Sequence, residues 1–219
     1  IKKTIFKVQN KTNNKFQIST FNKYLITFIS LLFLYLFYLS IPVLYDKAWA
    51  QNNIENQLKK EFEINFSLSS DISYRILPAP HFLIKDSKIF KSDENKSDTF
   101  ADIKNLRVFI SQKNFFDKEK ADLKYITIDD ANFSLLSNDL KLLKNNATKK
   151  FSNKKIEVNK SNIFFKDSLK KTIAIIKVSK AFLILDDKNS LNMFNLRGNV
   201  FNMPLIFNYK KKFDYSNRE

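Results

Sequence analysis

Tyr24–Tyr45, YLITFISLLFLYLFYLSIPVLY, is a run of twenty-two residues without a charge. As a helix rising about 1.5 Å per residue it reaches about 33 Å, enough for a hydrocarbon core of about 30 Å. Lys2, Lys3, Lys7, Lys11, Lys15 and Lys23 precede it with no acid among them, whereas Asp46, Lys47 and Glu55 follow as a mixed set. The positive-inside rule then puts the N-terminus in the cytoplasm and everything past Tyr45 across the membrane. Tyr24, Leu32, Leu39 and Tyr45 mark the span, with the two tyrosines and Trp49 where interfacial aromatics belong. Ala48-Trp49-Ala50 has the small-x-small form of a signal cleavage site, but a signal core is only about 7–15 residues long. A soluble core helix of this length would rarely lack charge. The expectation is an uncleaved anchor: basic cytoplasmic tail 1–23, transmembrane helix 24–45. The chain opens on Ile1 and closes without a recognisable cap, which suggests a piece of a longer product.

Beyond the anchor, Ile54, Leu58 and Phe62 recur every four residues among polar ones, so 46–62 reads as a juxtamembrane amphipathic helix that Pro42 could kink away from the span. From Phe66 the period falls to two. Phe66, Leu68, Ile72, Tyr74 and Ile76 share one parity, and Asn65, Ser67, Asp71, Ser73 and Arg75 take the other. That alternation is a strand with one apolar face. Leu77-Pro78-Ala79-Pro80 interrupts it, because proline donates nothing to a ladder. Strand-like text resumes at His81–Phe90, Asn105–Ser111, Leu123–Asp129 and Asn132–Leu136, and again in KIEVN, NIFFKD, TIAIIKVS, AFLILDD and PLIFNY. Ser137–Asn145 reads as a short capped helix. Ser92–Asp98 and Lys144–Lys155 read as polar, mobile loops. With only Gly198 available, turns needing positive φ must fall mainly to Asn and Asp.

A repeat lies within these strands. ITIDDANFSL (Ile126–Leu135) and IEVNKSNIFF (Ile156–Phe165) match at a spacing of thirty, pairing Ile126 with Ile156, Ile128 with Val158 and Asn132 with Asn162. Leu83–Phe90 has the same shape. The unit is a strand, a tight polar turn or bulge, and another strand, which must stack on its neighbours to bury anything.

The order of these features resembles the N-terminal region of the AsmA family of bacterial envelope proteins. The resemblance runs from about Tyr24 to about Tyr209, and its most specific text is ISYRILPAPHFLIKDSKIF (Ile72–Phe90). The family commonly has a glycine turn before the first strand, where this chain has KKEFEINF. The resemblance implies a single-pass inner-membrane protein whose periplasmic domain, 63–219, serves outer-membrane biogenesis. It also implies an apolar β groove for phospholipid acyl chains. The expected fold is mainly β: one transmembrane helix, then a repeat-containing antiparallel sheet, either a curved groove or a sandwich, with one or two short helices. Groove candidates on the apolar parity are Phe66, Leu68, Ile72, Tyr74, Ile126, Ile128, Ile156 and Val158. A membrane-tethered β-sandwich that binds a protein, without lipid transport, is the alternative. The sequence does not name an outer-membrane or periplasmic protein partner.

Chemistry is sparse. A net charge of +16 invites nucleic acid, but the lysines are scattered without an aromatic stripe, so none is expected. The absence of cysteine removes disulfides and thiol chemistry. His81, the single histidine, is expected at a surface or turn. Asp129-Asp130 and Asp186-Asp187 follow apolar strands and read as solvated turns. No cofactor, metal or catalytic constellation is expected, and the chain is not read as an enzyme.

Overall fold

The computed structural model describes residues 19–91, 99–113, 115–117, 122–139 and 149–212. Contacts divide the chain into two units, 1–40 and 41–219. The first holds helix α1, Thr20–Ser40, with Tyr24 and Leu32 exposed and Leu39 buried. Thr20–Leu44 is long and apolar enough to cross a membrane. The α-helix gives way to a 3-10 turn at Ile41–Leu44, around Pro42, whose ring nitrogen cannot donate. Helix α2, Lys47–Phe62, therefore starts afresh, capped by the Asp46 carboxylate, which accepts from the Trp49 amide at 2.8 Å. It ends on Glu63 at φ 54°, whose N–H reaches the Lys59 carbonyl. Glu63 thus takes the left-handed position that a glycine usually fills.

The rest of the second unit is a single open, curved sheet. Its strands are β1 (Asn65–Ser67), β2 (Ile72–Arg75), β3 (His81–Phe90), β4 (Thr99–Ile110), β5 (Leu123–Leu136), β6 (Lys155–Lys166), β7 (Thr172–Asp186), β8 (Leu191–Val200) and β9 (Met203–Lys212). β1 and β2 both pair with β3, and the order then follows the sequence to β9. No second sheet faces it among the described residues, so the architecture is the curved sheet and not the sandwich. Leu77-Pro78 is a cis peptide between β2 and β3. The helix expected at Ser137–Asn145 and the loop Ser92–Asp98 lie mostly or wholly outside the described residues.

All neighbours pair antiparallel except β5 and β6, which run parallel. The parallel pair explains the thirty-residue repeat: Ile126 lies opposite Ile156, Ile128 opposite Val158 and Asn132 opposite Asn162. The repeated polar step is not a turn between strands. It is a bulge inside one continuous strand, at Asp86 in β3, Asp130 in β5 and Lys160 in β6, with φ 51°, 55° and 48°. Each bulge resets the alternation, so Ile84 and Ser87, Ile128 and Ala131, and Val158 and Ser161 point to the same face. β4 and β7 take the same three-residue step, Ile103 to Leu106 and Val178 to Ala181. At its own level the line therefore crosses five strands without a register shift between them.

Side chains seal the line. The Ser161 hydroxyl accepts from the Ala131 amide at 3.0 Å, and Asn162 donates to Asn132 at 3.0 Å. Asp129, expected in a solvated turn, instead accepts from Arg107 at 2.9 Å and Asn159 at 3.1 Å in mid-sheet. A carboxylate here satisfies both neighbouring strands, which a free turn would not require. Asp186 does sit at a turn, taking the Lys188 amide at 3.1 Å.

The line ends at β8, which runs straight through. The mismatch appears as a register shift between Val178 and Lys180, beside Gly198. A Cβ on Gly198 would lie 2.2 Å from the Lys177 carbonyl oxygen, so the chain's only glycine stands where no other residue fits. Gly198→Ala should cost about 1–3 kcal/mol through forced backbone movement, read as a lower urea midpoint in detergent. Ser161→Ala should cost a similar amount, about 1–3 kcal/mol, because it strands the buried Ala131 N–H.

Candidate functional site

The sheet's two faces differ in character. One face, here the front, carries the apolar rows set by the register. Ile84, Leu106, Ile128, Val158, Ala181, Leu196 and Phe207 form one continuous row from β3 to β9. Lys177, Lys180 and Arg197 take the opposite parity and lie on the back, together with the exposed Ile175 and Ile206.

Coverage along the front is unequal. α2 lies over its first strands: Trp49, Ala50, Ile54 and Gln57 meet Phe82, Val108, Ile110 and Leu123 around a gap of only about 10 Å³. That is room for one water at most, so helix and sheet are closely packed here. Gln51 and Glu55 bracket Leu68, donating to its carbonyl and accepting from its amide at 2.7 Å each. A strap at 149–152 closes the near end of β7 and β8. Asn192, fully buried, accepts from the Phe151 amide at 2.9 Å and donates to the Lys149 carbonyl at 2.7 Å. The Ser152 hydroxyl bonds Glu61 at the end of α2. The loop expected to be mobile is, over this stretch, tied to both helix and sheet.

Beyond these covers the front face opens. Along the same row Ile84, Leu106, Ile128, Ala181 and Leu196 are buried, Val158 is partly buried, and Phe207 on the edge strand is 49% exposed. Val178, Ala181 and Leu196 form a small buried cluster, and Val158, Ile163, Ile176, Phe194 and Leu205 around it are only partly buried. The arrangement is a partly exposed apolar patch of these five side chains around the buried cluster.

The eight candidates from sequence divide between the two regions. Phe66, Leu68, Ile72, Ile126, Ile128 and Ile156 are buried. Tyr74 is half-buried against Phe82, ring centroids 5.3 Å apart, and its phenol is pushed up by burial and by Tyr45. Only Val158 belongs to the partly exposed patch. Tyr45 donates its hydroxyl to the Phe115 carbonyl at 2.6 Å. Ile176, Phe194 and Leu205, which border the same cluster and were not among the candidates, lie in strands whose alternation was visible but whose facing was not.

The back face holds an aromatic stack in register: His81 on Phe109 at 4.8 Å, and Phe109 on Tyr125 at 4.2 Å. Lys155 lies 5.5 Å over the Tyr125 ring. Burial would raise Glu157, but hydrogen bonds from Lys155 and Lys180 outweigh it and hold the carboxyl below its usual range.

The profile of the AsmA family matches residues 18–204. The chain belongs to the AsmA family. No curated protein matches it. AsmA membership points to envelope biogenesis and lipid transport in general terms, and the single apolar helix is compatible with a single-pass membrane anchor. The most specific AsmA-like text, Ile72–Phe90, folds as β2, the proline turn and β3, the strand on which α2 packs.

His81 corrects an expectation. It is not at a surface; it is 2% exposed at the start of β3, because stacking on Phe109 and a 2.7 Å bond between Nδ1 and the Ala79 carbonyl hold it in. Burial lowers its pKa below the ordinary 6.5, with Arg107 and Arg75 adding to the effect against that bond. The unfolded chain therefore takes up the proton first as pH falls. His81's contribution is full above about 6.5 and is lost as pH drops below it. The urea midpoint should fall between about pH 7.5 and about pH 5.5, and His81→Phe should flatten that dependence. An unchanged slope in the variant would contradict the assignment.

Proposed function

We propose that the chain is an inner-membrane-anchored periplasmic protein, N-terminus in the cytoplasm, that takes part in outer-membrane biogenesis by carrying phospholipid acyl chains on the front face of β6–β9. The role is one of binding and transfer, without a catalysed reaction. One observation carries this reading: the front face is buried under α2 at β3–β5, and beyond it the small cluster of Val178, Ala181 and Leu196 is ringed by apolar side chains that are only partly buried. Partly exposed aliphatic and aromatic side chains gathered in one patch are costly unless something apolar covers them. An acyl chain suits a surface whose partly buried side chains, Val158, Ile163, Ile176, Phe194 and Leu205, are all hydrocarbon. Family membership supports the lipid class.

Photo-crosslinking side chains at Val158, Phe194 and Leu205 should capture phospholipid in cells. The same chemistry at the back-face neighbours Glu157, Asn195 and Ile206 should capture little. Capture confined to the back face would overturn the groove, and capture of a protein in place of lipid would favour a docking module.

A further inference from the structure

The far end of the sheet carries a second feature. Two hairpin turns lie at this end, one reaching further than the other: Asp167–Lys171 joins β6 to β7, and Phe201-Asn202 joins β8 to β9. Ile176 lies opposite Val200, so Thr172–Ile175 project past the end of β8, by about 13 Å at the usual strand rise.

Both turns present apolar side chains to water. Leu169 is 75% exposed and Phe201 70% exposed. Neither placement follows from the fold. Phe201 and Asn202 sit at φ 49° and 63°, the pattern of a type I′ turn, where Asn and Gly are favoured and a bulky ring is strained. Leu169 is held outward by a built loop. The Asp167 carboxylate accepts from the Leu169 and Lys171 amides, each at 2.9 Å, and the Asp167 amide donates to the Lys171 carbonyl at 2.9 Å. The one acid of this tip is thus turned onto backbone amides. Lys170, Lys171 and Lys177 are exposed around it, with no ion pair among the described residues.

We infer that this end of the sheet is a membrane-docking tip that sets Leu169 and Phe201 into the interface of an anionic lipid bilayer. Charge complementarity selects the occupant: lysines flanking exposed apolar side chains match anionic headgroups over acyl chains. Shape agrees. Two narrow strand turns do not offer the broad surface of a stable protein interface, whereas interfacial insertion needs only about 5–10 Å of immersion. Docking of the tip is independent of whether acyl chains ride the front face.

The absence of cysteine makes the test direct. Full-length protein in nanodiscs carries an environment-sensitive fluorophore on Leu169→Cys, Phe201→Cys or, as a near-end control, Lys188→Cys. Nanodiscs of phosphatidylcholine, alone or with added phosphatidylglycerol vesicles, are compared with nanodiscs containing phosphatidylglycerol. The two tip sites should blue-shift with anionic lipid, and the control should not. A response to added vesicles identifies a second bilayer, and a response in anionic discs alone identifies the protein's own. Lys170→Gln with Lys171→Gln should weaken binding roughly thirtyfold, about fivefold per lysine. No shift at either tip site, an equal shift at Lys188→Cys, or a shift without anionic lipid that grows with protein concentration would overturn the proposal.

Discussion

A helix of sixteen residues is about 24 Å long, and the eight strands of the sheet's main path span about 34 Å between the first and last. α2 therefore cannot cover the front face, and everything distinctive in the second unit follows from where it stops. Under the helix the sheet behaves as an ordinary core. Ala50, Ile54 and Leu58 are buried, and each large apolar side chain so placed contributes about 1.5–3 kcal/mol. Past it, among the described residues, the rows continue as the small cluster of Val178, Ala181 and Leu196, ringed by side chains that are only partly buried. The strap at 149–152 extends the cover only at the near end, through Asn192.

The bulge line is the second organising device. A bulge in one strand would break pairing with its neighbours, but here each strand from β3 to β7 takes the same step at the same level. Register survives, and the added twist that bulges introduce is shared across the sheet. The composition makes this unusual. Bulges that glycine could occupy without strain fall on Asp86, Asp130 and Lys160, and hydrogen bonds from Ser161, Asn159 and Arg107 hold the two at β5 and β6. The single retained glycine marks the place where the line ends and backbones approach too closely for any side chain.

Much of this was legible in the sequence. The uncharged run, the amphipathic Ile54–Leu58 helix and the thirty-residue repeat are local patterns, and local patterns survive folding. The repeat even carried the β5–β6 register. Facing was harder to see. Period two tells that one side of a strand is apolar, but it does not tell which strands a helix will cover, so six groove candidates fell in the closed core. The polar step in ITIDDANFSL was open to two readings, a turn or a bulge. Asp129-Asp130 looks like turn chemistry, and only Arg107 and Asn159, brought from other strands, decide for the paired mid-strand bulge. His81 was misjudged for the same reason: its stacking partner Phe109 is distant in sequence. Positive φ also spread beyond Asn and Asp, to Glu63, Lys160, Lys170, Ser190 and Phe201.

In these terms the second unit is one sheet whose front face is a structural core under α2 and, past it, a small buried cluster ringed by partly buried apolar side chains, on which the proposed lipid role rests. The most direct measurement is electron spin resonance with a nitroxide on the acyl chain of a phospholipid. A second nitroxide is placed on the full-length protein at Phe194→Cys on the front face, or at Phe182→Cys on the back. Dipolar broadening at position 194 and none at 182 is the result this account predicts. Equal broadening at both sites, or none at 194, would contradict it.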